Sequence, residues 1–315
     1  MRLIDFKDNF PNEAACKAEF KLLREKSGIV CKKCKGKSHY WLTSKEMYQC
    51  KNNSCRFRTS LKSGTVMENS KMSYFNWFLM THLICSTKND FSALELQRQI
   101  GHKYYEPVFF MAHKLRLVMG KRDSIYTFEG SVEMDEGYFT HSNPLEVNEF
   151  TGVKEELKRG VGSQKKSKVL VMNSIIKVKP SIEKSKHKHN SIPKYLKMTV
   201  IENVKSKDLI KEITEKISED SELITDDNRA YSDLNSIVKT HTVNNVTKVD
   251  ACKVLPWVHK AISNAKGKIS NVYKGVSEQY LQNYLNEHSY KFNRRNFEGG
   301  IFSRLISACV LYTWY

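Results

Sequence analysis

The sequence lacks the features that would place this protein in a membrane or outside the cell. No apolar run in its 315 residues approaches the ~18–20 residues needed to span a bilayer. The N-terminal segment, residues 1–20, is too acidic and too broken for a signal peptide. We therefore expect a cytoplasmic protein with no membrane partner. In that compartment its eight cysteines are metal ligands, redox groups or packing residues rather than disulfides.

Acidic residues are scarce relative to basic ones. The chain has 34 Asp and Glu against 52 Lys and Arg, which gives a formal net charge of +18 and a pI near 9.4. The basic residues are spread along the whole chain rather than gathered in a tail. This charge indicates a polyanionic partner, and it favours nucleic acid over a membrane surface.

Four of the eight cysteines form two close pairs within residues 29–62. Two residues separate Cys31 from Cys34, four separate Cys50 from Cys55, and fifteen lie between the pairs. Two turns with this spacing can present four thiolates tetrahedrally to Zn²⁺, and the metal would supply folding energy that so small a core lacks. The spacing therefore predicts a structural zinc ribbon, since four thiolates leave no open position for catalysis. The alternative is four free thiols in a reducing cytosol.

The segment that follows the ribbon has helical patterning. Residues 1–28 form a helical lead-in, and residues 71–122 contain an apolar helix followed by two helices broken near Gly101. Ser92 is the expected N-cap of the first of these two, and Pro107 lies early in the second. Two helices joined by a glycine-containing turn indicate a helix-turn-helix-like domain.

The pattern changes to short strands after residue 123. From about 125 to 315 we expect a mixed α/β domain, because strands are followed by helices that can cover a sheet. The stretches 141–167 and 179–195 are basic and turn-rich, and they are expected to be mobile loops. The predicted strands are 125–140, 168–178, 196–204, 222–227 and 239–245; the predicted helices are 207–217, 255–270, 277–294 and about 298–313.

Two aspartates lie in or at the ends of predicted strands. Asp135 interrupts an otherwise strand-like run, and Asp226 ends another. Each alone could be an ordinary turn or edge residue. Together, acids at the ends of neighbouring strands can share a divalent metal, and hard oxygen ligands suit Mg²⁺ or Mn²⁺. In a basic protein this pair indicates metal-dependent phosphodiester chemistry.

The helix that begins near Pro256 has a histidine on its polar face. Its predicted buried stripe comprises Val258, Ala261, Ile262, Ala265 and Ile269. His259 and Lys266 fall on an adjacent polar face. They could be a capping or surface histidine and a solvated lysine. Alternatively, His259 is a third metal ligand and Lys266 holds DNA.

Together these segments resemble the zinc-ribbon DDE-type transposases of bacterial insertion sequences, specifically the ISXO-like group. The resemblance runs nearly from end to end, with the motifs in the family's order. Besides the paired cysteines it rests on "RFRTSLKSGTVMENSKMSYFNWF", "SALELQRQIG", "VEMDEGYF", "ITDDNRAY", "WVHKAISNAKGKISNVYKGVS" and "YLNEHSYKFNRR".

The resemblance implies an RNase H-like mixed sheet with flanking helices, in which Asp135 and Asp226 are the catalytic aspartates. In many members the third residue is a Glu with a basic residue seven positions later. Counting back seven from Lys266 reaches His259, which gives a D-D-H set. A neutral imidazole is a poor ligand for Mg²⁺ and a better one for Mn²⁺. Two rivals remain: Asp227 for the second aspartate, and Glu287 for the third ligand, although Glu287 could instead form a structural ion pair with Arg294, seven residues later.

The resemblance further implies a transposase that cuts the ends of its element and joins the freed 3′-hydroxyls to target DNA. Its partners would be double-stranded DNA, as terminal inverted repeats and target, and further copies of the chain assembled on that DNA at the bacterial nucleoid. The ribbon and a recognition helix within Glu106–Met119 would read the repeats. The expected DNA-binding residues are Lys103, Lys114, Arg116, Arg294 and Arg295.

Two other classes of function stay open at this stage. A catalytically degenerate copy could act as a sequence-specific regulator, because binding needs only residues 29–120. An RNase H-like nuclease would cleave DNA but would not join it.

Overall fold

A computed structural model describes six stretches of the chain: residues 1–142, 165–177, 191–202, 206–244, 254–297 and 300–315. The chain forms two compact units. The first consists of Met1–Arg122 together with Arg294–Tyr315, and the second is Asp123–Asn293. Among the described residues, no helix combines the length and apolarity needed to cross a membrane.

The first unit combines helices with a small antiparallel sheet. Its strands run in the order β1-β2-β3, and Tyr40, Gln49 and Arg58 occupy one cross-strand row. The elements are α1 (Leu3–Asn9), α2 (Glu13–Ser27), β1 (His39–Leu42), β2 (Met47–Cys50), β3 (Arg58–Ser60), α3 (Tyr74–Ser86), α4 (Ala93–Ile100) and α5 (Tyr105–Asp123), and near the C-terminus α9 (Ile301–Leu311).

Two local signals in this unit are confirmed. The Ser92 side chain accepts a hydrogen bond from the Glu95 N–H and caps α4. Gly101 ends α4 with φ +71°, a left-handed conformation that glycine adopts without the steric cost of a Cβ atom. The two predicted helices are therefore separated at Gly101, as the sequence predicts.

The second unit contains a five-stranded mixed sheet. Its order is β6-β5-β4-β7-β8, with β5 antiparallel to both neighbours and β7 parallel to β4 and β8. The elements are β4 (Ser131–Thr140), β5 (Lys166–Lys177), β6 (Ser191–Ile201), α6 (Ser206–Lys216), β7 (Glu222–Asp226), β8 (Thr240–Asn244), α7 (Pro256–Asn271) and α8 (Glu278–Asn293), with a 3₁₀ helix at Arg229–Ser236.

Each face of the central strand β4 packs against a different apolar core. Val132 and Met134 join the cluster that contains α6 and the 3₁₀ helix. Phe139 joins the cluster that contains α7 and α8. Because side chains alternate along a strand, Glu133, Asp135 and Gly137 share the face of Phe139. The strand therefore presents its acidic residues Glu133 and Asp135 towards the helix that carries His259.

The mixed α/β class, the five strands and the helices that follow them are confirmed, with ends that differ by a few residues. One expectation is wrong: residues 191–195 belong to β6, not to a loop. The segment is basic and turn-rich in sequence, but β6 lies at an edge of the described sheet, where Pro193, which has no N–H, is tolerated. Most of the two predicted loops lies outside the described residues.

The C-terminal helix α9 is grouped with the first unit rather than with the sheet. Phe302 of α9 packs against Phe6 and Phe78, with ring centroids 5.9 and 6.0 Å apart. The Val66 N–H also donates to the Cys309 carbonyl. The sequence-based domain divisions at 1–28, 29–62, 71–122 and 125–315 stay a prediction.

Candidate active site

The site is built where α7 crosses β4. Gly137 lies under the helix, and a Cβ atom at this position would come within 3.0 Å of Phe139 Cε2 and 3.3 Å of Ile262 Cγ1. Real Cβ atoms seldom tolerate such contacts in a packed core. Glycine in the sequence Asp135-Glu136-Gly137 therefore lets α7 approach the strand closely.

This close approach brings His259 to Asp135. Nδ1 of His259 lies 3.7 Å from Oδ2 of Asp135, and the two side chains are 27% and 14% exposed. The other carboxylate oxygen of Asp135, Oδ1, accepts a hydrogen bond of 2.7 Å from the Glu136 N–H. Oδ2 of Asp135 and the imidazole of His259 thus face each other in a partly buried position.

Asp226 lies on the neighbouring strand at the same level. The β4–β7 register pairs Glu133 with Ile224, so two residues further along each strand come Asp135 and Asp226, on the same face. Oδ1 of Asp226 is buried, and it has no hydrogen-bond partner within the described part of the chain. A buried carboxylate oxygen without a donor is costly unless a cation or another partner satisfies it.

The carboxylates of the site are partly buried and close to one another, and both conditions shift their pKa values. Burial, together with the nearby Asp226 carboxylate, raises the pKa of Asp135 to about 6, against the opposing effects of the Glu136 N–H hydrogen bond and Lys266. Burial also raises the pKa of Asp226, to which the adjacent Asp227 adds. Burial lowers the pKa of His259, against the opposing effect of Asp226. Two like charges beside a neutral imidazole favour binding of a cation.

Lys266 lies two turns further along α7. Its side chain is exposed, with Nζ 5.7 Å from the centre of the Phe139 ring. Burial of its stem and the nearby Lys166 lower the pKa of Lys266, whereas Asp135 raises it. Lys166, at the start of β5, was not among the residues that sequence reasoning selected. Lys266 therefore lies near Asp135, and the exposed Lys166 lies near Lys266.

Sequence reasoning also missed Glu136 and Tyr231. The Tyr231 hydroxyl donates a hydrogen bond of 2.5 Å to Oε1 of Glu136 on the opposite face of β4. Burial raises the pKa of Glu136 to about 7, and Asp135 and Asp226 raise it as well, against the Tyr231 hydrogen bond. The two residues come from the motifs that contain the two aspartates. This hydrogen bond ties the segment after Asp226 to the strand that carries Asp135.

The two rival acids occupy different environments. Asp227 is exposed at the end of β7. Glu287 is fully buried on α8, and its Oε1 forms an ion pair of 2.8 Å with Nζ of Lys291. Glu287 therefore has a structural ion pair of the kind considered for it, with Lys291 as a partner; the partner that the sequence suggested is Arg294. Of the two candidates for third ligand, His259 is the one whose side chain the structure shows next to Asp135.

The four predicted cysteine ligands converge in the first unit. The sulfurs of Cys31, Cys34, Cys50 and Cys55 all lie within 4.8 Å of one another. The Cys31–Cys55 and Cys34–Cys50 sulfur distances are 3.7 and 3.5 Å. Tetrahedral Zn²⁺ with bonds of about 2.3 Å holds its sulfurs about 3.8 Å apart, so the cluster fits this ion. Hydrogen bonding from the Cys34 N–H helps lower the pKa of Cys31 to about 7.

The predicted DNA-binding residues differ in their exposure. Lys103, in the turn before α5, and Arg295 are exposed. Arg116 and Arg294 are buried, with 0% and 2% of their surface accessible. Lys114 is half-buried, with Nζ 4.3 Å from the centre of the Trp314 ring. In this conformation Arg116 and Arg294 expose almost no surface through which to contact a phosphate.

The small sheet of the first unit has an exposed basic and aromatic face that the sequence analysis did not single out. Tyr40, Gln49 and Arg58 form a row across its three strands. Tyr40 is 58% exposed, Arg58 is exposed, and Nζ of Lys51 lies 4.8 Å from the centre of the Tyr40 ring. We call Tyr40, Gln49, Lys51 and Arg58 the outer ribbon face.

Comparison with known proteins identifies the class of the second unit. Residues 127–293, more than half of the chain, match the family model described as the ISXO2-like transposase domain. This match makes the sheet-bearing unit a transposase domain, and the matched segment contains Asp135, Asp226, His259 and Lys266. The chain belongs to the ISXO2-like transposase family, which supports an insertion-sequence transposase. A comparison with curated proteins found no match.

Proposed function

We propose that this transposase has an RNase H-like catalytic domain that cleaves the ends of its own element and transfers the freed 3′-hydroxyls to target DNA. The observation that carries this proposal is the 3.7 Å separation of His259 Nδ1 from Asp135 Oδ2 inside the family-matched segment. The sheet order β6-β5-β4-β7-β8, with the first aspartate on the central strand, is compatible with that fold.

In our proposal a divalent cation is held by Asp135, Asp226 and His259, and the ligand atoms of Asp135 and His259 lie within reach of one ion. Two atoms bound to one ion at about 2.1 Å can be at most about 4.2 Å apart, and the Asp135–His259 pair satisfies this limit. The buried Oδ1 of Asp226 lacks a hydrogen-bond donor among the described residues, and an ion would satisfy it. One imidazole with two carboxylates favours Mn²⁺ over Mg²⁺, although both are candidates.

When bound, the ion would supply Lewis-acid activation of the attacking oxygen and stabilisation of the leaving one. In the first reaction a water oxygen bonds to phosphorus and the bond to the 3′ oxygen breaks, leaving a 3′-hydroxyl and a 5′-phosphate. In the second, that hydroxyl attacks a target phosphodiester and releases a target 3′-hydroxyl. No covalent bond to the protein is required, so the chain's residues bind, orient and neutralise charge.

The surrounding lysines are suited to holding the phosphates of the cleaved strand. Lys266 is exposed near Asp135, and Lys166 is exposed near Lys266. Away from the site, Lys103, Arg295 and the outer ribbon face offer exposed cations for DNA, whereas burial makes Arg116 and Arg294 structural residues in our proposal. Zinc bound at the four cysteines would stabilise the conformation of the small sheet that carries the outer ribbon face.

The test uses the purified full chain with a duplex that carries the inverted repeat flanking its reading frame. We expect strand cleavage at the repeat end and joining to a supercoiled target, in the presence of Mn²⁺ or Mg²⁺. Asp135→Asn and Asp226→Asn should reduce both reactions by roughly 10³-fold or more while leaving repeat binding intact. Asp220→Asn, which changes an exposed acid of the same unit, is the matched control.

The possible outcomes separate the three classes of protein. Cleavage without joining would indicate a nuclease, and specific binding without cleavage would indicate a regulator. Full activity of both Asp→Asn variants would overturn the site.

A further inference from the structure

Helix α7 begins without a cap of its own. Its N-cap residue, Leu255, has no side chain that accepts a hydrogen bond. Pro256 has no N–H, and the His259 N–H donates to the Leu255 carbonyl at 3.2 Å. The N–H groups of Trp257 and Val258 remain, and both need an acceptor, because a helix leaves its first donors unpaired.

Glu133 on β4 supplies that acceptor. Its Oε2 accepts hydrogen bonds of 2.9 Å from the Trp257 N–H and 3.1 Å from the Val258 N–H. Glu133 is 2% exposed. A carboxylate far away in sequence therefore caps the helix that carries His259.

The position of Glu133 on β4 connects the cap of α7 to the contact between His259 and Asp135. Glu133 and Asp135 are two residues apart, so their side chains share one face of β4. His259 follows Val258 directly and lies in the first turn of α7. The same short strand segment thus holds both the start of the helix and the aspartate that faces His259.

We propose that Glu133 is a positioning residue that sets the separation of His259 from Asp135 and so prepares the metal site. This inference rests on the proposed function, because it takes His259 as a ligand. Without the cap, the first turn of α7 loses two hydrogen bonds and His259 moves with that turn. Gly137 alone would then hold the helix close to the strand without fixing its rotation.

The test is a double-mutant cycle on Mn²⁺ affinity, measured on the full chain from the electron paramagnetic resonance signal of free Mn²⁺. Glu133→Ala should weaken Mn²⁺ binding roughly 10-fold, the order seen when a residue that orients a metal ligand is removed. Glu133→Gln should weaken it less, because the amide oxygen can still accept both N–H groups. In a His259→Ala background, Glu133→Ala should cost no more than about twofold further, because the residue it positions is gone.

A second readout does not depend on metal. In Glu133→Ala the amide protons of Trp257 and Val258 should exchange with solvent faster than in the unaltered protein, while those of β4 and β5 keep their protection. Glu222→Gln is the matched control, since it neutralises a carboxylate of the same sheet that bonds to Ser131 and Lys177 instead of α7.

The outcomes distinguish this inference from the proposed function. If Glu133→Ala weakened binding equally with and without His259, or left the exchange of both amides unchanged, Glu133 would not position the histidine, although His259 could still be a ligand. If His259→Ala alone left Mn²⁺ affinity unchanged, the ligand assignment would fail, and this inference with it.

Discussion

Nδ1 of His259 lies 3.7 Å from Oδ2 of Asp135, across the contact between α7 and β4. Under the proposed function, this pairing places an imidazole at a position where many members of the resembled family have a carboxylate. The exchange of a carboxylate oxygen for an imidazole nitrogen would then change which metal the site prefers, and this preference is the most direct property to measure.

Replacing His259 should change metal preference more than it changes DNA binding. His259→Ala should lower cleavage less than either aspartate variant, because water can fill one coordination position where two carboxylates remain. His259→Glu restores an oxygen ligand on the same helical face, so it should retain activity and move the preference from Mn²⁺ towards Mg²⁺. Cleavage rates in each metal, with repeat binding as the control, provide the measurement. An unchanged Mn²⁺-to-Mg²⁺ rate ratio in His259→Glu would argue against direct coordination.

The cysteine cluster should hold one structural zinc per chain. Removal of zinc with a chelator should unfold residues 29–62, because the metal replaces a hydrophobic core in a segment this small. Zinc content by elemental analysis and limited proteolysis of the ribbon report the two effects. Cys34→Ser should lower the zinc content, whereas Cys85→Ser, outside the cluster, should leave it near one. Freshly purified protein with far less than one zinc per chain would contradict the assignment.

Glu68 should make the stability of the first unit depend on pH. Burial would raise its pKa, but Lys32 and the Tyr315 hydroxyl, which donate to its carboxylate, lower the pKa from 4.5 to about 2. A pKa that is lower in the folded state stabilises the fold above the unfolded value, and this stabilisation is lost as pH falls from about 4.5 towards 2. Glu68→Gln should therefore cost roughly 1.5–3 kcal/mol at pH 7.

Thermal unfolding at pH 7, 5, 4 and 3 tests this dependence. The difference between Glu68→Gln and the unaltered protein should shrink below about pH 4.5, because the carboxylate is then protonated in the unfolded chain. Glu95→Gln removes a half-buried acid paired with the exposed Arg98, and it should cost less than about 1 kcal/mol at every pH. Effects common to all variants, such as thiol protonation, cancel in the comparison. A pH-independent difference for Glu68→Gln would refute the coupling.

DNA binding should be steeply salt-dependent, and the outer ribbon face should contribute to it. Each phosphate contact releases condensed counterions, so Arg58→Ala should reduce the slope of log affinity against log salt by about 1. Arg304→Ala removes the same charge from an exposed position on α9 and is the control. Binding of a repeat duplex between roughly 50 and 200 mM salt gives the slopes. Equal slopes for Arg58→Ala and the unaltered protein would exclude a contact from this face.

The sequence alone determined the features that depend on residues close together in the chain. Cysteine spacing, the Ser92 cap, the break at Gly101 and the alternation of strands depend on neighbours a few residues apart, so they could be predicted. The buried stripe of α7 is likewise confirmed, because a 3.6-residue period reports which face is apolar. The choice of Asp135, Asp226 and His259 came from spacing together with the family resemblance.

Only the tertiary structure decided which of these side chains meet and which are buried. The approach of His259 to Asp135 depends on the absence of a Cβ atom at Gly137 and on a cap from Glu133, and no local pattern encodes either contact. The same holds for Arg116, whose charge predicted DNA contact although its side chain is fully buried. Charge and periodicity are properties of a segment, whereas burial and distance depend on segments far apart in the chain.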